Sequence, residues 1–303
     1  MGFINQMSSR GFAVESVCRV LSEHGCVVAA RTYRAWRSRP ASRRAHTDAI
    51  IEDALRATID TPEGLYGRRK MHAYLNRAGH RVAVCTVDRL MGELGRNGVV
   101  RGRRPRTTIP APDRHRPEDL VNRAFHADAP NRLWVMDFTY VRTWSGFVYV
   151  AFVVDVFAQR ILAWHASTNK RTQLVLTPLR MAMWERARTG HPVTPDTLIA
   201  HHDAGSQYVS VRFTEHLALE EIAPSVGTVG DAYDNCLMES IIGLYKTECL
   251  RPGPFLSGPL KSISQVEFAT MAWVEWWNHR RLHTPCGLIP PAEAEAQHHV
   301  QLT

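Results

Sequence analysis

The chain has 303 residues, which is enough for two or three domains with a full hydrophobic core. Its 37 Lys and Arg against 29 Asp and Glu give a formal net charge of +8. No apolar run approaches the roughly 18 residues that span a bilayer, and the N-terminus lacks the charged-then-apolar layout of a signal peptide. Six scattered cysteines without a C-x-x-C pair argue against zinc or disulfides. We therefore expect a reduced, cytoplasmic protein.

The charge is unevenly distributed along the chain. Residues 1–116 hold 22 Lys and Arg against 10 Asp and Glu, whereas residues 117–303 hold 15 against 19. The first part thus has a net charge of +12 and the second of −4. A strongly basic part favours contact with a polyanion, although a basic surface can equally be solvated.

The first predicted elements are two helices in residues 11–39. One carries apolar residues at helical spacing and ends near Gly25. The second begins near Ala30 and carries several arginines, which suits contact with DNA phosphates and grooves. The alternative is an ordinary helical hairpin with a polar face. The candidate DNA-binding residues here are Arg31, Arg34 and Arg37.

A second helical unit follows, with helices predicted over residues 46–59, 66–78 and 85–94. The middle helix begins with three consecutive cations, Arg68, Arg69 and Lys70, which are further candidates for DNA contact. Residues 101–124 are rich in arginine and proline and show little hydrophobic pattern, so they predict a linker between domains.

From residue 125 the pattern changes to that of an α/β domain. Three strands separated by short turns predict an antiparallel meander, and a long helix then leads to further strands alternating with helices. The predicted strands are 133–140, 146–155, 160–164, 197–200 and 223–226, and the predicted helices are 172–188, 211–221, 232–250 and 264–281.

Three acidic residues fall at positions that favour metal chemistry. Asp137 lies at the centre of an apolar strand, where a carboxylate is costly unless it is paired or holds a metal. Asp203 follows a short strand, at the sheet edge where ligand-binding groups collect. Glu239 lies in the helix predicted to start at Asp234 and Asn235. Together they could supply oxygen ligands for Mg²⁺.

Two neighbouring positions need a separate interpretation. Lys246 follows Glu239 by two turns of a straight helix, so both are expected on one exposed face, some 10 Å apart. The Leu237 side of that helix is expected to be buried. Asp155 also ends an apolar strand, but a strand-end aspartate commonly begins a turn, and we expect a structural role for it.

The chain resembles the catalytic subunit of insertion-sequence transposases that an element's second reading frame encodes, within the DDE integrase-core family. Thirty-five residues separate Asp203 from Glu239, as in the D…D-35-E signature of that family. The resemblance runs from Phe3 to about Glu293, and four phrases carry it: HHDAGSQYVS, SVGTVGDAYDNCLMES, YKTE and WNHRRLH. His202 departs from the family pattern, which usually has a serine there.

The resemblance implies an RNase H-like integrase core, a mixed five-stranded sheet with flanking helices, preceded by an all-α helix-turn-helix region. It implies Mg²⁺-dependent cleavage and strand transfer at element ends through Asp137, Asp203 and Glu239, with two ions once DNA is bound and Mn²⁺ as an alternative. Lys246 is implied as a DNA contact. The expected segments are a DNA-binding region at 1–100, the linker at 101–124, the catalytic core at 125–291 and a tail at 292–303.

The expected partners are DNA, at element ends and target, and a protein from the first reading frame. A homo-oligomer on DNA, no membrane contact and a nucleoid-associated location in a bacterial cytoplasm are also expected. Two other functions stay open. One is a DNA-binding or regulatory remnant without chemistry, and the other is an RNase H-type nuclease, which would leave Lys246 and the helix-turn-helix units unexplained.

Overall fold

The computed structural model describes residues 1–100, 120–121, 125–203, 207–208, 210–226 and 235–301. The linker predicted at 101–124 lies almost wholly outside these residues, as does Asp234 at the predicted helix start. The chain forms two compact units, Met1–Asp53 and Ala54–Thr303. The division falls inside the region predicted to bind DNA, because residues 54–100 belong to the same unit as the sheet.

The first unit is built from three short helices, α1 (Gly2–Ser9), α2 (Val14–Glu23) and α3 (Ala30–Ser38). The helix pair predicted around Gly25 is confirmed, and this glycine has the positive φ of 82° that ends α2. Helix α1 was not predicted. It supplies Ile4, which packs with Val17, Cys18 and Tyr33 in a small apolar core. Helix α4 (Arg43–Arg56) follows and crosses the boundary between the units.

The second unit begins with a helical segment of a 3-10 turn (Pro62–Leu65), α5 (Arg68–Arg77) and α6 (Val84–Glu93). The helical spacing of apolar residues in 85–94 correctly predicts α6 and its buried face. The buried apolar side chains of the two helices are Met71, Leu75, Val87, Leu90 and Met91.

A five-stranded mixed sheet forms the centre of the second unit, in the order β3-β2-β1-β4-β5. The first three strands form the predicted antiparallel meander, and β4 and β5 run parallel to β1. The RNase H-like arrangement of strands and flanking helices is confirmed. The strands are β1 (Leu133–Thr143), β2 (Gly146–Asp155), β3 (Arg160–Ser167), β4 (Ile199–His202) and β5 (Ala223–Val226).

Helices cover both faces of this sheet. Helices α7 (Gln173–Arg188) and α8 (Val211–Leu219) pack on one face. On the other lie α9 (Cys236–Leu244), a π-helical turn (Tyr245–Cys249) and α10 (Ile263–His279). There the Phe152 ring of β2 contacts Tyr245 and Trp273. Burial of apolar area on both faces stabilises this α/β arrangement.

The final helix is α11 (Pro291–Gln301), formed by residues expected to be a tail. Its Glu295 is buried and pairs with Arg186 of α7 at 2.7 Å. Among the described residues, every helix is too short or too polar to cross a membrane.

The helical segment of the second unit is joined to the end of α10 by polar contacts. Glu63 is buried and accepts hydrogen bonds from Trp276 Nε1 at 3.1 Å and from Arg280 Nη2 at 2.8 Å. The Tyr66 hydroxyl accepts a hydrogen bond from the Leu282 amide at 3.0 Å. Because Glu63, Tyr66, Trp276 and Leu282 are buried, the helical segment and the end of α10 share one packed interface.

Candidate active site

The pairing of β1 with β4 brings two of the predicted acids to the same edge of the sheet. Met136 and His202 are the last parallel partners of the two strands. The next residues along the chain are Asp137, still within β1, and Asp203, just beyond β4, so the two acids follow paired positions on strands that are about 4.8 Å apart. Asp137 is half-buried within β1, whereas Asp203 is exposed just beyond β4, as predicted.

The start of α9 is tied to the same place. The Asn235 side chain donates a hydrogen bond from Nδ2 to the carbonyl oxygen of Met136, at 3.4 Å. It therefore contacts the strand residue before Asp137 rather than capping its own helix, which shows no side-chain cap. Glu239 lies one turn into α9 and is half-buried.

Burial and the surrounding charges shift the pKa of Asp137. Burial raises this pKa most, and the carboxylates of Asp203 and Glu239 raise it further. The hydrogen bond from the Phe138 amide and the ammonium of Lys246 lower it, and the pKa of Asp137 comes to about 7. Desolvated carboxylates that repel one another are stabilised by a cation.

The oxygen donors fit a hard divalent cation, although they do not form a finished cage. No three His, Cys, Asp or Glu side chains within the described ranges are arranged to coordinate an ion. Mg²⁺ needs no such cage, because it commonly takes one or two carboxylates and completes its shell with waters and substrate phosphates. Asp137, Asp203 and Glu239 have the chemistry for this kind of site, and their role as ligands stays a prediction.

Lys246 lies near the acids on a turn that the sequence did not predict. The helix widens to π geometry at Tyr245–Cys249, so the straight-helix prediction for residues 232–250 is wrong in its last turn. Lys246 is nevertheless exposed on the side of the acids, since its charge lowers the pKa of Asp137. Its Nζ lies 5.0 Å from the centre of the Tyr140 ring.

Tertiary contacts explain the π turn. The Tyr245 hydroxyl and Thr270 Oγ1 of α10 are 2.6 Å apart. Glu248 accepts hydrogen bonds from Trp273 Nε1 at 3.2 Å and from Arg281 Nη2 at 2.6 Å. Thr247 Oγ1 donates to the Gly243 carbonyl at 2.7 Å. Buried partners on α10 and just beyond its end therefore fix this wide turn. Such π turns are frequent at functional sites.

The buried face of α9 differs from the prediction. Met238, Ile241 and Tyr245 are buried, whereas Leu237, which was expected to be buried, is half-buried. The prediction failed because it centred the apolar stripe on Leu237. The sheet and α10 instead cover an arc centred near Met238.

Asp155 has the structural role expected for it. It is buried, and its carboxylate accepts hydrogen bonds from the Asn131 amide, the Trp134 indole and the Phe157 amide. It also pairs with Arg186 at 2.8 Å. With its oxygens bound in this way, Asp155 belongs to a buried ion-pair network instead of the candidate active site.

His202 and Tyr208 form the buried floor beside Asp203. Their rings stack with centres 4.7 Å apart. His202 Nδ1 donates to the Asp203 carbonyl oxygen at 3.0 Å, and burial lowers the pKa of His202 to about 4, so the ring is neutral. Burial, with Asp137 and Asp203 nearby, raises the pKa of Tyr208 well above its usual value. The sequence indicates only an orienting role for Tyr208, and no local pattern reveals its closeness to both acids.

The candidate DNA-binding cations are exposed or half-buried, on α3 of the first unit and α5 of the second. On α3, Arg34 pairs with Glu15 of α2. On α5, Arg68 pairs with Asp88 at 2.9 Å, and Lys70 Nζ lies 5.8 Å from the Tyr66 ring centre. The remaining members, Arg31, Arg37 and Arg69, are exposed.

Most polar residues of the closing phrase WNHRRLH make structural contacts. Asn278 donates to the Ile161 carbonyl and accepts from the Ile161 amide, which fastens α10 to β3. Arg281 pairs with Glu248, and His283 Nε2 lies 3.2 Å from the Trp277 carbonyl. These buried hydrogen bonds explain why polar residues occupy this part of the core.

Comparison with known proteins identifies the family. The integrase core domain matches residues 127–232, a second integrase core model matches 220–291, and an HTH-like domain matches 45–104.

Individual relatives agree with these matches. The putative transposase for insertion sequence element IS986/IS6110 of Mycobacterium tuberculosis is 48% identical over an alignment that covers 90% of this chain and 97% of that protein. The IS629 transposase of Shigella sonnei is 43% identical over 86% and 84%. Transposase InsF for insertion sequence IS3A of Escherichia coli is 29% identical over 94% of each chain. The chain belongs to the insertion-sequence transposases of the DDE integrase-core family.

Proposed function

We propose that this transposase cuts and joins DNA strands at the ends of its insertion sequence through Asp137, Asp203 and Glu239. The observation that supports this most is the shared sheet edge, where the β1–β4 register places Asp137 beside Asp203 and the Asn235 hydrogen bond holds the start of the Glu239 helix against β1. We propose a divalent cation, Mg²⁺ or alternatively Mn²⁺, as the cofactor, with two ions when DNA is bound. Such ions polarise phosphoryl oxygens and stabilise the attacking and leaving oxygens.

Each of these residues would have a role that follows from its position. The half-buried Asp137 would anchor the ligand set within the rigid strand, while the exposed Asp203 and the helix-borne Glu239 would approach from the loop and from α9. Asn235 would hold the start of α9 against β1. Lys246 would bind a phosphate or base beside the scissile bond. Water would attack first and the freed 3′-hydroxyl second, so no covalent protein intermediate is needed.

The test of this function is cleavage of DNA that contains the element's terminal repeats, by the full chain with MgCl₂. A nick or break at the repeat boundary supports the proposal. Binding without cleavage in either Mg²⁺ or Mn²⁺ would indicate a regulatory remnant instead, and cleavage of an RNA–DNA hybrid alone would indicate an RNase H-type nuclease.

Lys246 gives a prediction with a well-matched control. We expect Lys246→Ala to reduce cleavage by about tenfold, because removing a charged hydrogen bond to a phosphate costs on the order of 1–3 kcal/mol. Lys261 is a fair control, since its Nζ also lies over an exposed aromatic ring, 5.3 Å from the centre of Trp144. The measurement is the rate of cleavage by Lys246→Ala beside Lys261→Ala. Equal rates would assign Lys246 to the solvated surface.

The basic helix α3 gives a prediction about binding. We propose that the HTH-like region and α3 hold the DNA, together with the first-reading-frame protein and further copies of this chain. The double variant Arg31→Ala, Arg37→Ala is made in the full chain, and its DNA association constant is measured at several salt concentrations. The slope of the logarithm of this constant against the logarithm of the salt concentration should become shallower by about 0.9 for each phosphate that the variant no longer neutralises. Arg188→Ala, an exposed arginine on α7, is the control. An unchanged slope would remove α3 from the DNA interface.

A further inference from the structure

Strand β1 continues well beyond its pairing with β4. The last β4 partner of β1 is Met136, yet β1 pairs with β2 as far as Thr143 and Gly146. Strand β3 accompanies β2 as far as Tyr149, so the β1–β2 hairpin extends as two strands only beyond Tyr140 and Tyr149. In antiparallel strands, directly paired residues project from the same face. Tyr140 pairs with Tyr149, and Arg142 pairs with Phe147, so these four side chains share one face.

That face exposes aromatic rings to solvent. Tyr140 is 48% exposed and Phe147 is 51% exposed, while Tyr149 is half-buried beside them. The Tyr140 and Phe147 rings meet edge to face, with centres 5.6 Å apart. We call Tyr140, Phe147 and Tyr149 the aromatic face. Clustered exposed aromatic rings usually mark a binding surface.

Cations lie along the aromatic face. Lys246 Nζ lies 5.0 Å from the Tyr140 ring centre, and Lys170 Nζ lies 5.0 Å from the Tyr149 ring centre. The exposed Arg142 projects from the same side of the hairpin. Flat rings interleaved with lysine and arginine complement a ligand that is both anionic and aromatic, which favours nucleic acid over an apolar protein segment or a lipid.

The aromatic face is linked to the candidate active site at both sides. Lys246 lies on the turn that directly follows α9, the helix that carries Glu239, and its Nζ is close to the Tyr140 ring. The Lys170 carbonyl accepts a hydrogen bond at 3.1 Å from Gln207, in the segment that follows Asp203. Tyr140 is three residues beyond Asp137, about 10 Å along the strand, and this odd spacing places the two side chains on opposite faces of the hairpin. A DNA strand that reaches both must pass around the edge of β1 beyond its last β4 partner. The distance of about 10 Å along the strand corresponds to about three stacked nucleotides.

We propose that the aromatic face binds unpaired bases of the DNA strand that passes the candidate active site, by stacking on Tyr140 and Phe147. This inference rests on the proposed function and names the form of DNA that the site takes. A duplex end would have to fray by a few nucleotides to reach the rings. Lys170 and Arg142 would contact the phosphates of the frayed strand.

The test uses the full chain in EDTA, so that binding is measured without chemistry. The probe is a terminal-repeat duplex carrying an overhang of about three nucleotides, with a fluorescent aminopurine among them, compared with the same duplex with a blunt end. We expect Tyr140→Ala and Phe147→Ala each to weaken binding of the overhang duplex by about tenfold, with blunt-duplex binding unchanged. Tyr140→Phe should retain both the affinity and the aminopurine quenching.

Phe268→Ala is the matched control, because Phe268 is an aromatic residue 70% exposed on α10. Equal binding of the overhang duplex by wild type and both alanine variants would overturn the proposal. An equal loss of affinity for the blunt and the overhang duplex would also overturn it. A third contradicting result would be a dimer of the chain in solution that Phe147→Ala dissociates while DNA binding is unaffected. Asp137→Asn should still quench aminopurine; if that variant also cleaved normally, the proposed function would fail while the stacking result would stand.

Discussion

Asp137→Asn, Asp203→Asn and Glu239→Gln are each expected to reduce strand cleavage by about a thousandfold or more while leaving DNA binding intact. The reason is that each replacement removes one anionic oxygen ligand, and a metal ion contributes several kcal/mol to stabilising the transition state. The measurement is single-turnover cleavage of terminal-repeat DNA, beside a binding assay in EDTA.

The control for these variants is Glu275→Gln, since Glu275 is exposed on α10 and pairs loosely with His279 at 3.7 Å. It should cleave like wild type. Near-normal cleavage by any one of the three variants would remove that residue from the candidate active site. Loss of DNA binding in parallel with cleavage would indicate a structural role instead.

The second large effect is expected for the buried ion-pair network around Arg186. This guanidinium is buried and pairs with Asp155 at 2.8 Å and with Glu295 at 2.7 Å. Arg186→Ala would leave the buried carboxylate of Asp155 without its ion-pair partner, whereas Glu295 would keep only Arg160. We expect a loss of about 3–5 kcal/mol in the free energy of unfolding.

Arg188→Ala on the same helix is the comparison for Arg186→Ala. Arg188 pairs with Glu185 at 2.8 Å, but its side chain is 54% exposed. An exposed pair contributes about 0–1 kcal/mol, so the thermal midpoint of Arg188→Ala should lie close to that of wild type. Similar midpoints of thermal unfolding for Arg186→Ala and Arg188→Ala would contradict a large contribution of the buried ion-pair network to stability.

The sequence predicts much of the fold because local patterns determine it. Apolar runs separated by short turns define β1 to β3, and the period of 3.6 identifies α7 and α10. The position of Asp137 inside a strand and of Asp203 beyond one follows from the same patterns. The sequence also predicts the structural role of Asp155 correctly. Its ion-pair partner Arg186 lies 31 residues away and could not be identified from the sequence.

The features that escaped prediction depend on contacts between distant residues. The π turn follows from Thr270 on α10 and Arg281 just beyond that helix, and no local period signals it. The attachment of the helical segment to α10 joins Glu63 to Arg280 across 217 positions. Tyr208 approaches Asp137 and Asp203, and Lys246 approaches Tyr140, only because of the way that loops, helices and strands meet at the sheet edge. Such pairings follow from tertiary packing instead of propensity.

The central claim is that Asp137, Asp203 and Glu239 hold one divalent cation site. The most direct test replaces Mg²⁺ by Fe²⁺ in the full chain with terminal-repeat DNA, and starts radical cleavage of the polypeptide with peroxide and ascorbate. The account predicts backbone cuts around all three residues, which excess Mg²⁺ suppresses and Asp203→Asn abolishes. Cuts elsewhere in the chain, or an unchanged pattern in Asp203→Asn, would contradict it.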